Sequence, residues 1–293
     1  MAAFSVWLAA IRPKTLSLSL TPVVVGTALA YADTGSVAWL PAVGALLAAA
    51  LIQAGTNLHN DVSDFESGTD TAKRLGPLRA TAQGWIEPGR VRAAYRFSFA
   101  AAFILGIYLV FVGGWPILAL GLASLAAAAA YSAGPFPISS YPVGELFVFV
   151  FFGLAAVAGS YYLQTPMLGE NSLLAGSALG LLAAAVLVVN NYRDSETDAS
   201  SGRRTLAVLI GPALSKMEYA LLLIAPFCLL PLMNLPQATA VTIMLPWLTL
   251  PWGLYLIYRI FKIPRSSQLN ALLAQTAQLQ VGFGGLLALT AIL

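Results

Sequence analysis

Carboxylates are scarce in this chain, and most of its twelve acidic residues fall in two short segments. The first reads Asn57-Leu-His-Asn60-Asp61-Val-Ser-Asp64-Phe-Glu66-Ser-Gly68-Thr-Asp70. The second reads Asn190-Asn191-Tyr-Arg193-Asp194-Ser-Glu-Thr-Asp198 and runs on to Gly202-Arg203-Arg204-Thr205. On a helix Asn57, Asp61 and Asp64 stand at i, i+4, i+7, and Asn190, Asp194 and Asp198 at i, i+4, i+8, so each set shares one face. Asp70 falls off that face, and Gly68 marks the end of the first helix. Carboxylates gathered in this way repel one another unless cations compensate. Hard oxygen donors with a few carboxylates suit magnesium, its coordination completed by water and phosphate oxygens. Zinc is disfavoured, with one histidine and one cysteine in the whole chain. Basic residues follow in both segments, placed to pair with phosphate. Two solvated acidic loops would be the plain alternative, but both segments have asparagine one turn ahead of the acids and a basic stretch behind.

The elements that must position these residues follow from composition. Of 293 residues 59% are hydrophobic and only 9% charged, with a mean hydropathy of +0.80. A water-exposed surface needs about 25% charged residues, so lipid must cover most of this chain. Nine apolar runs of spanning length lie at 15–33, 38–57, 93–113, 115–133, 143–163, 173–191, 218–235, 238–259 and 273–293. They are Ala/Leu-rich without strand alternation, which predicts an all-α bundle rather than a barrel. With the N-terminus cytoplasmic, all 15 Lys and Arg fall on the cytoplasmic side, as the positive-inside rule requires. The outer connections carry only Asp33 and Glu170, so both acidic segments open on the cytoplasmic face. No basic n-region precedes the first apolar residues, which argues against a cleaved signal peptide. Cys228 stands alone in an apolar run, fit for packing rather than for a disulfide.

With these residues in place, the chain resembles the UbiA superfamily of membrane prenyltransferases, and within it the 1,4-dihydroxy-2-naphthoate polyprenyltransferases of the menaquinone branch. The likeness is carried by Arg12-Pro13-Lys14-Thr15-Leu16, by the first acidic segment with Arg74-Leu75-Gly76-Pro77-Leu78-Arg79, by Tyr131-Ser132-Ala133-Gly134-Pro135 with Gly144-Glu145, by Phe151-Phe152-Gly153, and by the second acidic segment through Thr205-Leu206-Ala207-Val208. It implies one domain over residues 1–293, a nine-helix bundle whose cavity opens at the cytoplasmic side of a bacterial inner membrane. The implied activity is Mg²⁺-dependent transfer of a polyprenyl group from its diphosphate to an aromatic acceptor. Asn57, Asp61, Asp64, Asn190, Asp194 and Asp198 would then hold metal, with Asp61, Asp64, Asp70, Asp194 and Asp198 as the catalytic carboxylates. Lys14, Arg79, Arg193, Arg203 and Arg204 would bind diphosphate, and Asn60, Asn191, Tyr131 and Glu145 the acceptor. The family's third aspartate would fall at position 68, where this chain has Gly68 and places Asp70 two residues on. His59, between the motif residues, is read as a bystander, and the tryptophans as belt or packing residues. Membrane lipid is the expected surrounding; nucleic acid and an obligate protein partner are not implied.

Two other classes use similar residues. A secondary transporter also carries intramembrane carboxylates, but places them near the midplane on broken helices, whereas these lie at span ends. An isoprenoid cyclase would use the same metal and diphosphate without an aromatic acceptor, and a 4-hydroxybenzoate or other phenol prenyltransferase would differ only in the acceptor.

Overall fold

The computed structural model describes residues 3–68, 74–134, 136–235, 238–239 and 241–293. Among them there is no strand. A short α1 (Phe4–Ile11) turns at Arg12 into α2 (Pro13–Thr34), and α3 (Trp39–Glu66) returns. The long α4 (Pro88–Ser132) is followed by α5 (Gly144–Phe149), a π-helical stretch (Val150–Ala155) and α6 (Ala156–Tyr162) in one continuous rod. Then come α7 (Glu170–Ser200), α8 (Leu206–Leu229), α9 (Leu250–Lys262) and α10 (Leu269–Ile292). Local signals set several ends. Pro13 and Pro88 occupy first-turn positions that need no N–H donor, and Gly35 in the left-handed region lets its N–H close α2 on the Tyr31 carbonyl at 2.8 Å.

Seven helical segments among the described residues are long and apolar enough to cross a bilayer, against nine spans expected from the sequence. The difference has two physical sources. The expected spans at 93–113 and 115–133 form the single α4, whose 45 residues would reach about 67 Å if straight. That is twice a hydrocarbon core, and α4 breaks at Gly114 (φ 69°, ψ −156°), just ahead of Pro116. The expected span at 238–259 is divided between a 3₁₀ stretch (Thr242–Thr249) and α9, so neither part reaches spanning length alone.

Helix α7 is the axis of the molecule. Of its most apolar window 72% is buried, against 11% for α4, which lies at the periphery. Leu179, Leu182 and Val189 of α7 pack with Val25 and Leu29 of α2, Tyr219 and Phe227 of α8, Leu256 of α9 and Phe283 of α10. Close approach of the α5–α6 rod depends on small residues: a Cβ at Gly153 would stand 2.3 Å from the Gly176 carbonyl oxygen and 2.5 Å from Gly180 Cα. The two acidic helix ends, on α3 and α7, meet at the same end of the bundle, where both line one cavity.

Candidate active site

The acidic end of α3 uses two faces for two tasks. Leu58 and Val62 pack against Ala80 and Ile86 of the segment that leads to α4. Asp61, 1% exposed, accepts hydrogen bonds from the backbone N–H groups of Ala80 (3.0 Å) and Thr81 (2.9 Å). On the adjoining flank of the helix, Asn60 and Asp64 line a polar cavity of about 60 Å³. Arg79, directly ahead of the two amides Asp61 binds, pairs with Asp64 and donates to Asn60 Oδ1 at 2.9 Å. The carboxylate of Asp61 thus fixes the turn that delivers Arg79.

On α7 the arrangement is more concentrated. Asn190, Asn191, Asp194, Thr197, Asp198 and Ser201 all line the same cavity. Arg193 stands behind them, 1% exposed. Its guanidinium donates to Asp194 (2.8 and 2.5 Å), to Asn190 Oδ1 (2.8 Å) and to Asn270 Oδ1 on α10 (2.6 Å). Asn270 in turn donates to the Leu75 carbonyl at 2.9 Å, and a Cβ on Gly76 would meet Arg193 Nη2 at 2.8 Å. The loop after α3 is therefore docked on the buried arginine of α7.

Arg203 joins the two helices. It donates to Asp64 at 2.6 Å and reaches Asp198 at 3.5 Å. Burial alone would push its pKa down, but Asp64 and Asp198 outweigh it and hold the guanidinium above its ordinary value. Arg74 and Arg79 complete the cationic side of the cavity. Nearby, Arg12 occupies the left-handed region (φ 57°, ψ 70°) between α1 and α2. Burial, and then the guanidiniums of Arg79 and Arg74, push it down to about 9, with Asp61 and Asp64 pulling the other way.

Tyr131 lies in the wall of this polar cavity and also in that of a second, apolar one of about 330 Å³. The second is lined by Ile52, Ala102, Ile117, Leu125, Phe151 and Leu163 among others, from α3, α4 and the α5–α6 rod. A charged compartment and a greasy one thus meet at a single tyrosine, a shape that suits an amphiphile with an anionic head and an apolar tail.

Residues 19–279 match the UbiA prenyltransferase family. The chain belongs to that family. It is 38% identical over 238 residues to the 1,4-dihydroxy-2-naphthoate octaprenyltransferase of Escherichia coli, covering 78% of this chain and 76% of that protein. It is 36% identical over 250 residues to the enzyme of the same name from Mycobacterium tuberculosis, covering 81% and 85%. A UbiA homolog from Archaeoglobus fulgidus solved with DMAPP and Mg²⁺ shares the fold at a TM-score of 0.68, with 17% identity, 96% of this chain and 98% of that one covered.

Within this UbiA-family fold the residues singled out from sequence separate into two groups. The polar cavity brings together Asn60, Asp64, Arg79, Tyr131, Asn190, Asn191, Asp194, Asp198 and Arg203. Asn57, Asp61, Lys14, Arg193, Arg204 and Glu145 do not line it. Asn57 instead donates to the Ile11 carbonyl (2.7 Å) and to Thr15 Oγ1 (3.1 Å), tying the α1–α2 corner to α3. Lys14 and Arg204 are exposed, the latter held by its backbone N–H on the Ser140 carbonyl at 2.8 Å. Glu145 is buried behind Asn191, whose Nδ2 donates to it at 2.7 Å. Asp70 lies outside the described residues. The His59 ring lies 4.5 Å from that of Tyr95, tilted by 35°, between α3 and α4. The sequence reading did not single out Thr197 and Ser201, although each lies three residues beyond a motif aspartate, Thr197 on α7 and Ser201 at its C-cap. Arg12 and Arg74 appeared only as basic residues and as part of the family likeness, and no sequence signal pointed to Asn270.

Proposed function

We propose that this protein transfers a polyprenyl group from polyprenyl diphosphate to 1,4-dihydroxy-2-naphthoate, in a Mg²⁺-dependent reaction at the polar cavity. The observation that carries the reading is the meeting of the acidic, arginine-lined cavity with the apolar one at Tyr131. The relatives named for this activity support the choice of acceptor, and the Archaeoglobus homolog, solved with a prenyl diphosphate and Mg²⁺, supports the choice of donor and ion.

Asn60, Asp64, Asn190, Asp194 and Asp198 are the side chains suited to the ion, all hard oxygen donors from two facing helices. Among the described residues no three acidic, His or Cys side chains form a ready cage, so the remaining ligands are assigned to water and substrate phosphates. Bound there, Mg²⁺ would offset the negative charge that builds on the leaving diphosphate.

Arg74, Arg79 and Arg203 grip the diphosphate oxygens, with Arg12 adding positive charge from the α1–α2 corner. The isoprenoid tail lies along the apolar cavity, whose walls keep water from the allylic carbon. The allylic C–O bond breaks and its electron pair leaves on the diphosphate. A ring carbon of the acceptor forms the new C–C bond to the allylic carbon, and that ring carbon then loses its carboxylate as CO₂.

In the membrane the chain makes nine crossings, α4 contributing one on each side of Gly114 and the 238–262 region another. Its N-terminus and both acidic helix ends face the cytoplasm, and the membrane is the bacterial inner membrane. Purified protein incubated with Mg²⁺, a radiolabelled polyprenyl diphosphate and a panel of aromatic acids tests the reaction. Prenylated product with dihydroxynaphthoate, lost when EDTA is added, is expected. Diphosphate release without an adduct would contradict it in favour of a cyclase.

A further inference from the structure

Two carboxylates stand behind the site without a part in the chemistry described so far. Glu145 opens α5, is 8% exposed, and accepts a hydrogen bond from Asn191 Nδ2 at 2.7 Å. Its other oxygen, Oε2, is buried with no hydrogen-bond partner among the described residues, and the same holds for Oε2 of Glu218 on α8. Glu218 and Tyr131 both lie within electrostatic reach of Glu145. Leaving a buried carboxylate oxygen unpartnered is costly, so a packing role alone is a poor account of Glu145. Glu145 lines neither cavity, whereas Asn191 and Tyr131 both border the polar one.

An asparagine amide has a donor end and an acceptor end, and nothing in its own shape decides which faces a ligand. An ionised carboxylate only accepts. By taking the amide N–H₂ of Asn191, Glu145 leaves the Oδ1 as the polar atom Asn191 offers to the cavity. We propose that Glu145 is a positioning residue that fixes Asn191 as a hydrogen-bond acceptor for a hydroxyl group of the aromatic co-substrate, beside Tyr131 where the two cavities meet. The inference rests on the prenyl-transfer reading above and adds to it a class of acceptor: a ring whose hydroxyl donates at this point. A ring oxygen without a hydrogen meets only the lone pairs of Oδ1 there and is disfavoured.

The test compares Glu145→Gln with Glu145→Leu in the full-length protein. The glutamine variant retains an oxygen that can accept from Asn191 but adds an N–H₂ group that can donate to Asn191 Oδ1 instead, so it fixes the amide less firmly; the leucine variant retains no acceptor at all. Glu145→Leu is expected to raise the KM for dihydroxynaphthoate about tenfold, the effect of one hydrogen bond, while the KM for polyprenyl diphosphate changes by less than about twofold. Glu145→Gln is expected to raise the same KM for dihydroxynaphthoate by a smaller factor, about two- to threefold, and to leave the KM for polyprenyl diphosphate unchanged. Asn191→Leu should match Glu145→Leu, and the double variant should be no worse than either. Wild type should also prefer the free hydroquinol over its mono-methyl ether, and Glu145→Leu should lose that preference. Equal damage from the two Glu145 substitutions, or a rise in both KM values together, overturns the assignment. If Glu145→Leu does not fold, as judged by its melting temperature, Glu145→Gln and Asn191→Leu decide the matter by the same KM split. Wild-type protein that forms no adduct contradicts the prenyl-transfer reading itself, whereas normal turnover with an unmoved acceptor KM contradicts only the role of Glu145.

Discussion

The ends of α3 and α7 that meet at the polar cavity carry similar motifs and use them differently. On α7 the asparagines and aspartates of the motif all turn into the cavity, and Arg193 stands directly behind, binding Asp194, Asn190 and Asn270. On α3 the motif is divided: Asn60 and Asp64 face the cavity, while Asn57 and Asp61 hold the neighbouring α1–α2 corner and the 79–81 turn. Position explains the contrast. Helix α7 is the most buried of the spanning helices, 72% of its most apolar window being covered, and its motif side chains line the cavity. Helix α3 is less buried, at 39%, and anchors two neighbouring segments through Asn57 and Asp61. Two carboxylates three residues apart therefore make different contacts, Asp64 with arginine side chains at the cavity and Asp61 with backbone amides outside it.

The largest expected effect lies where the two helices agree. Asp64→Ala and Asp194→Ala should each lower kcat by about 100- to 1,000-fold, the scale of losing a preorganised electrostatic group; each also strips a buried arginine, Arg79 or Arg193, of a carboxylate partner and should lower the melting temperature. A more modest effect separates the two tasks. Asp61→Asn leaves one buried backbone N–H without its acceptor and should cost about 1–3 kcal/mol of stability, read as a lower melting temperature, with an unmoved Mg²⁺ midpoint. Asp198→Asn should do the reverse, raising the Mg²⁺ concentration needed for half-maximal rate. Should Asp61→Asn shift that midpoint as strongly, the division of labour on α3 is wrong.

Arg12 has an intermediate effect. Burial and the guanidiniums of Arg79 and Arg74 disfavour its charge, yet it is a cation at neutral pH, as arginines in proteins are. Arg12→Gly, which also accepts the left-handed backbone without strain, should bind polyprenyl diphosphate severalfold more weakly at neutral pH, read as a raised KM. The smallest effect is expected at Asn270→Ala, which releases the Leu75 carbonyl and one bond to Arg193; a rise of about two- to threefold in the diphosphate KM, of the order of one neutral hydrogen bond, with kcat intact would fit.

Much of this was legible in the sequence because lipid imposes simple rules. Apolar runs of spanning length located the helices, and the clustering of fifteen basic residues suggested a common face. Periodicity correctly grouped Asn190, Asp194 and Asp198, since a buried straight helix keeps its phase. The same argument grouped Asn57, Asp61 and Asp64, and there it lacked the resolution needed. Asn60 and Asp64 lie on one flank of that arc and Asn57 with Asp61 on the other, and only the docking of Ala80 and Ile86 on Leu58 and Val62 decides which flank meets the cavity. Asn270 lies 195 residues from its partner Leu75, and no local pattern could join them. The break at Gly114, by contrast, was foreshadowed by adjacent glycines ahead of Pro116 at the junction of two apolar runs.

The most direct measurement is an experimental structure of the full chain with Mg²⁺ and a non-cleavable thiolo-diphosphate analogue of the prenyl donor. The expected result is the ion bound by side chains from Asn60, Asp64, Asn190, Asp194 and Asp198, the diphosphate against Arg74, Arg79 and Arg203, and the tail passing Tyr131 into the apolar cavity, with Asp61 still on the amides of Ala80 and Thr81. A ligand outside this cavity, or Asp61 turned from those amides to bind the metal, would contradict it.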